Sequence, residues 1–312
     1  MKKILGYFKD FHKTYFNPKL YLISLVFIAA LITFNYSLDF EDTYIDSFRG
    51  KNIRTLFFAL YHLFAYYGII LLIYFFGNNE LKLTKEFWIK SALGFLVLGF
   101  DRSFGGYYEW LKAAVPPETL QYYYKLAYNG IRFLTILLPL LVLKLVYDRN
   151  TGEGLYGLRL KSIDLKPYWI MLLLLAPVIY IVSFSPDFID YYPSYKRTGG
   201  AQFALYYHFP EVVSKIVFEV FYTSDFVYTE LFFRGFLIIG FTKLLGKNAI
   251  IPMAAAYAVL HFGKPLGETI GSVFGGYILG IIALYSRNIW GGVFIHGGIA
   301  LLMEIFAFWQ MK

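Results

Sequence analysis

The chain has 312 residues, of which 58% are hydrophobic and 16% are charged, and its formal net charge is +8 at pH 7. Because soluble proteins carry about 25% charged residues, this composition excludes an ordinary soluble domain of this length. The basic residues lie in short loops between apolar runs, which indicates contact with anionic membrane lipid and not with nucleic acid. The chain has no cysteine, which excludes disulfides and thiolate metal ligands.

The apolar runs are long and uninterrupted, a pattern that predicts α-helices and excludes the alternating sequence of a β-barrel. We therefore expect an all-α, polytopic transmembrane helix bundle with about eight or nine spans. The candidate spans are Leu20–Tyr36, Leu56–Phe76, Phe87–Phe100, Leu126–Val146, Tyr168–Phe184, Ile216–Leu245, Ala249–Phe262, Ile270–Tyr285 and Ile289–Phe308. Of these, Ile216–Leu245 is unusually long, and we expect it to be tilted or broken near Thr223–Asp225.

Loop charges predict how the bundle is oriented. Lysines before the first span favour a cytoplasmic N-terminus; they are Lys2, Lys3, Lys9, Lys13 and Lys19. The expected location is the bacterial cytoplasmic (inner) membrane. We divide the chain into N-terminal transmembrane helices, residues 1–155, and a core, residues 156–308.

Polar residues inside apolar sequence become frequent from Glu219 onward. A charged side chain at the bilayer centre costs at least ~2.5 kcal/mol, so such residues usually have a partner or a function. Glu230 and Arg234 are four residues apart on one predicted helix, share a face and are expected to pair. His261 and His296 lie in two later segments.

The depth of each side chain in the bilayer indicates whether Glu230, His261 and His296 can lie close together. With a rise of 1.5 Å per residue from the nearest basic loop, Glu230, His261 and His296 lie roughly 20, 21 and 14 Å into the bilayer. All three depths fall within a hydrocarbon layer about 30 Å thick, so we expect them to line one polar cavity together with Arg234. One carboxylate and two imidazoles form either a site for a divalent metal such as zinc, with Glu230, His261 and His296 as ligands, or a water-activating cluster.

These segments resemble the CPBP (CAAX protease and bacteriocin-processing, Abi) family of intramembrane metalloproteases, which includes the type II CAAX-processing endopeptidases. Its pattern is Glu-Glu-x-x-x-Arg on one helix, Phe-x-x-x-His on the next and His-x-x-x-Asn/Asp on a later one. The counterparts here are Thr229-Glu230-x-x-x-Arg234, Tyr257-x-x-x-His261 and His296-x-x-x-Ala300. The stretch from Tyr156 to Trp169 is similar to the sequence that leads into the family core, so the resemblance covers about residues 156–308.

The resemblance implies a protease that cleaves near the C-terminus of membrane-associated proteins or peptides. Glu230 is then the candidate base or ligand, oriented by Arg234, while His261 and His296 bind a metal or stabilise the oxyanion. The first glutamate of the family pair is Thr229 here, and the final Asn or Asp is Ala300.

Three substitutes for the missing carboxylate are conceivable. In the first, the helix rotates so that Glu230 takes the position of the missing carboxylate. In the second, the helix unwinds near Asp225 and Asp225 provides the carboxylate. In the third, Glu268 or Glu304 provides it from another helix. Two other functions stay open. Thr229 and Ala300 favour a non-catalytic relative that binds membrane partners, and the buried acids favour a small-solute transporter.

Overall fold

The computed structural model describes residues 1–77, 81–149, 152, 154–159 and 163–311, and within them the chain is all-helical, without a β-strand. The α-helices are α1 Lys2–Tyr15, α2 Pro18–Leu38, α3 Ile53–Phe76, α4 Lys85–Ser103, α5 Tyr107–Ala114, α6 Pro117–Gly130, α7 Leu138–Tyr147, α8 Lys166–Val182, α9 Pro186–Tyr191, α10 Gly200–Tyr206, α11 Glu211–Glu230, α12 Thr242–Leu245, α13 Ile250–Val259, α14 Leu266–Ser286 and α15 Trp290–Gln310. Three π-helices are Glu41–Ile45, Phe133–Leu137 and Leu231–Gly240. The predicted fold class, a polytopic helical membrane protein, is confirmed.

Five helical segments are long and apolar enough to cross a membrane: α2, α3, Pro117–Tyr147, α14 and α15. A sixth arises if Glu211–Gly240 and Thr242–Val259, which meet at a 43° bend, form one span. All nine predicted segments overlap helices, but fewer qualify as spans within the described residues. The helix α8 has only 17 residues, and α4 contains five charged residues.

The long segment Ile216–Leu245 is not broken near Thr223–Asp225, so that part of the expectation was wrong, while the alternative, a tilted span, stays a prediction. The helix α11 continues through these residues to Glu230, the backbone then widens into the π-helix Leu231–Gly240, and the bend lies at Phe241. The sequence suggested a break because polar side chains cluster there. A helix tolerates them, however, because each has an interaction partner on a neighbouring turn or helix.

The helices form two compact units, each made of three stretches of chain. Unit 1 comprises Met1–Phe104, Thr135–Ile163 and Glu230–Gly292. Its apolar core joins α2, α3, α13 and α14, with fully buried members such as Ile69 and Ala258. Close contact of α4 with α3 depends on Gly99, because an added Cβ there would collide with the carbonyl oxygen of Thr55. This packing fixes α13, which carries part of the candidate site.

Unit 2 comprises Gly105–Leu134, Asp164–Thr229 and Val293–Lys312. Two aromatic clusters form its core, one around Tyr122 and Phe218 and one around Phe188 and Tyr192. The hydroxyl of Tyr122 donates a hydrogen bond of 2.6 Å to the carbonyl oxygen of Ser214, which joins α6 to α11. The division of the chain at residue 155 stays a prediction.

Candidate functional site

A buried ion pair is the centre of the candidate site in unit 1. Oε1 of Glu230, the last residue of α11, lies 3.0 Å from Nη1 of Arg234, and the two side chains are 0% and 1% exposed. The predicted pairing is therefore present. Because an uncompensated charge in this environment would cost several kcal/mol, about 3–5 by analogy with broken buried pairs, each charge stabilises the other.

The residue after the pair, Gly235, allows the backbone of Tyr156 to approach the π-helix. A Cβ at Gly235 would lie 2.8 Å from the carbonyl oxygen of Tyr156, closer than side chains tolerate. The residue after Arg234 is thus in direct contact with the stretch that begins at Tyr156, which is similar to the sequence that leads into the family core. π-Helical turns are rare and often occur at functional sites, which agrees with the position of Arg234 on this segment.

A second buried ion pair supports the other end of the π-helix. Nζ of Lys90 lies 2.5 Å from Oδ2 of Asp148 and donates to the carbonyl oxygen of Gly240 at 2.7 Å. The hydroxyl of Tyr156 donates to the same carboxylate at 2.8 Å. These residues were not predicted because Lys90 lies 58 positions from Asp148 and 150 from Gly240, and no spacing rule connects such distant partners.

Tyr257 connects the ion pair to the first histidine. The Arg234 guanidinium stacks over the Tyr257 ring at 4.0 Å, and the His261 ring meets the same ring edge-on at 4.5 Å between centroids. A cation over an aromatic face gains electrostatic energy from the ring quadrupole. Glu230, Arg234 and His261 thus belong to one buried cluster, with Tyr257 as its unpredicted fourth member.

The orientation of His261 follows from the end of α13. The helix stops at Val259, and Nδ1 of His261 donates a 2.9 Å hydrogen bond to the carbonyl oxygen of Tyr257. In a neutral imidazole the other nitrogen, Nε2, is then the acceptor or ligand atom. Gly263 follows with a φ of +76°, a left-handed conformation that glycine adopts readily and that ends the helical turn.

The second oxygen of Glu230 points toward the start of α15. A Cβ at Gly292 would collide with Oε2 of Glu230, so only glycine permits this approach. The N-terminal turn of a helix carries partial positive charge, which favours a carboxylate beside it. In the sequence this contact corresponds to a Gly-Gly pair that ends four residues before His296.

In unit 2, an arginine faces the position where the family has its first glutamate. Nη1 of Arg132 lies 2.8 Å from Oδ2 of Asp225 and donates to Oγ1 of Thr229 at 3.1 Å. His296, also in unit 2, packs its ring on Phe226 with centroids 4.2 Å apart. Ala300 is buried and provides no polar group.

The structure brings three of the four predicted residues, Glu230, Arg234 and His261, into one cluster of unit 1. Their position relative to His296 in unit 2 stays a prediction, as do the catalytic roles of all four. Throughout the described part of the chain, no group of three or more His, Asp or Glu side chains is arranged to hold a metal ion.

Residues 212–302 match the family model described as Type II CAAX prenyl endopeptidase Rce1-like. The match confirms the resemblance over a segment that contains Glu230, Arg234, His261 and His296. It covers less than a third of the chain. No curated protein and no solved structure matches the sequence.

Proposed function

We propose that this integral membrane protein, with its Rce1-like domain at residues 212–302, is an endopeptidase that cleaves membrane-associated proteins or peptides near their C-terminus. One observation carries the proposal. Within the matched segment, a buried carboxylate, guanidinium and imidazole lie in one chain of contacts through Tyr257. Buried ionisable groups of this kind are concentrated at catalytic sites.

In the proposed reaction, a carboxylate accepts a proton from water, and the resulting hydroxide attacks the carbonyl carbon of the scissile bond. His261 and His296 stabilise the oxyanion or transfer a proton to the leaving amine. Glu230 has one of two roles, proton acceptor or negative partner that orients Arg234. Its complete burial beside Arg234 favours the second role, because a base must reach the attacking water.

A divalent metal, zinc in the first instance, is a separate part of the proposal. Glu230, His261 and His296 are the residues that would hold it, and it would polarise the water and the carbonyl. No step above depends on it. Metal analysis of the purified protein, with His261→Ala as the comparison, tests this part independently of activity.

The proposed setting is the bacterial inner membrane, with the N-terminus in the cytoplasm. The N-terminal lysines support this orientation, because positively charged loops stay on the cytoplasmic side. In this setting the proposed partners of the protein are membrane lipids, and its proposed substrates are membrane-associated proteins or peptides.

A hydrolysis assay tests the function. The purified protein in detergent micelles is incubated with a synthetic farnesylated peptide that ends in Cys-a-a-X, and products are identified by mass spectrometry. We expect release of the residues after the cysteine, and we expect His261→Ala and His296→Ala to abolish it. Intact peptide after incubation with wild type, with and without divalent metals, would overturn the proposal for this substrate class.

A second candidate function is a non-catalytic relative that binds a membrane partner. The observation in its favour concerns position 229, where the family resemblance implies a water-activating carboxylate. Here this position is a threonine, and the positively charged guanidinium of Arg132 lies beside it. Thr229→Glu separates the two candidates. An adapted enzyme is impaired by this change, whereas a non-catalytic relative gains hydrolysis or metal affinity that wild type lacks.

A further inference from the structure

A hydrolase with threonine at position 229 needs its water-activating carboxylate elsewhere. The three other candidate acids have partners that hold them away from Thr229. Oε1 of Glu230 is paired with Arg234 and its side chain is 0% exposed. Glu268 lies 2.5 Å from Nζ of Lys264 at the start of α14, and Oε1 of Glu304 accepts the backbone N–H of Ser194 at 2.7 Å. None of the three shares a helix face with Thr229.

Asp225 does share that face. It precedes Thr229 by four residues on the uninterrupted helix α11, so the two side chains lie about 6 Å apart along the axis on the same side. Nη1 of Arg132 contacts both of them, at 2.8 Å to Oδ2 of Asp225 and 3.1 Å to Oγ1 of Thr229. The Asp225 side chain is 14% exposed, whereas that of Glu230 is 0% exposed, so Asp225 is the more accessible of the two carboxylates.

His296 lies at the same level of α11 as Asp225. Its ring packs on that of Phe226, the next residue in the chain, at 4.2 Å. The neighbouring residue Gly297 lies against Thr223 and Phe226, with each side chain 3.8 Å from the position of an added Cβ. Within unit 2, the predicted catalytic histidine is therefore beside the turn of α11 that carries Asp225.

We propose that Asp225 is the catalytic base of this protein and that Arg132 is its positioning residue. The proposal rests on the endopeptidase function above and names which carboxylate performs it. The Asp225 carboxylate removes a proton from water as the water oxygen bonds to the carbonyl carbon. When the C–N bond breaks, the same proton passes to the leaving amine and the ionised carboxylate is restored. The Thr229 hydroxyl accepts a hydrogen bond from Arg132 and so helps to hold the guanidinium in place.

The test uses full-length protein in detergent and the farnesylated peptide above, with kcat, KM and thermal unfolding measured for each variant. The main variant is Asp225→Asn/Arg132→Gln, which removes both charges and leaves no unpaired cation, and Asp225→Asn alone accompanies it. The matched control is Asp46→Asn, because Asp46 also pairs with an arginine, Arg54, at 2.6 Å and has a similar exposure of 17%.

We expect kcat of the double variant to fall about 10²-fold or more with little change in KM or unfolding temperature, while Asp46→Asn keeps wild-type kinetics. Asp225→Asn/Thr229→Glu should recover part of the lost activity, because it restores a carboxylate one turn away on the same face. A merely structural role for Asp225 predicts instead that any loss of kcat is accompanied by a lower unfolding temperature.

Two results would overturn the proposal, and they have different consequences for the endopeptidase function. Wild-type kcat in the double variant removes Asp225 as base and leaves the endopeptidase function intact. Absence of hydrolysis by wild type removes the function itself and the proposed base with it.

Discussion

Nη1 of Arg132 lies 3.1 Å from Oγ1 of Thr229, so a guanidinium faces the first position of the Thr-Glu-x-x-x-Arg segment. Thr229 and Glu230 are adjacent in sequence but point about 100° apart on the helix. Thr229 joins Arg132 and Asp225 in unit 2, and Glu230 joins Arg234, Tyr257 and His261 in unit 1. The end of α11 thus carries two separate ion pairs, and they lead to different predictions.

Removal of Arg234 should destabilise the protein. Arg234→Ala leaves the 0% exposed Glu230 without its cation, a loss of about 3–5 kcal/mol for a broken buried pair. Thermal unfolding in detergent measures the effect. Arg49→Ala is the control, because Arg49 is 74% exposed and its pair with Asp46 is worth about 0–1 kcal/mol. Equal unfolding temperatures for the two variants would mean that the Glu230 charge is balanced by another group.

A methyl group at Gly292 should disturb the same pair from the opposite side. Gly292→Ala collides with Oε2 of Glu230, and the carboxylate has to move away from its position beside Arg234. We expect a loss of about 1–3 kcal/mol in stability, the usual range for overpacking, and reduced peptide hydrolysis. Gly271→Ala serves as the control, because an added Cβ at that position of α14 meets nothing within 4 Å. If both alanine variants unfold at the same temperature, the close contact of Gly292 with Glu230 is absent in solution.

Stability should depend on pH through Glu41, which lies between α2 and α3 and outside the candidate spans. Burial, only partly offset by Arg102, raises the pKa of Glu41 to about 8 from an ordinary value of 4.5. The folded state therefore binds more protons than the unfolded state between pH 4.5 and about 8. Stability from this group is full below pH 4.5 and falls as the pH rises through 8.

Glu41→Gln tests this assignment, because glutamine resembles the protonated side chain at every pH. Unfolding temperatures of wild type and variant should agree near pH 4.5, and the variant should be the more stable of the two at pH 9. Parallel pH profiles for the two proteins would show that Glu41 has an ordinary pKa.

Much of the fold was predictable from the sequence because lipid requires helices, and long apolar runs show where they lie. The Glu230–Arg234 pair was predictable too, since a separation of four residues fixes a shared helix face. Span number was less predictable, because α4 and α13 are helices that lack the length or apolarity of an independent span.

The rest depends on long-range contacts. Arg132 and Asp225 are 93 residues apart, and only folding brings them together. Tyr257 was visible as a member of a motif, but its position between Arg234 and His261 depends on how α13 packs beside the π-helix. The position of the bend at Phe241 follows from the π-helix, for which apolar periodicity gives no signal.

The central claim is that the Glu230 cluster belongs to a peptidase site, and the turnover number of Glu230→Gln tests it most directly. Glutamine preserves the volume and hydrogen-bonding capacity of the side chain and removes its charge. On the farnesylated peptide, we predict that wild type cleaves and that the variant turns over about 10²-fold more slowly or worse, because the Arg234 guanidinium loses the anion that orients it. Loss of the buried pair also lowers the unfolding temperature, so the variant is assayed well below its own transition. Cleavage by the variant at the wild-type rate would contradict the claim.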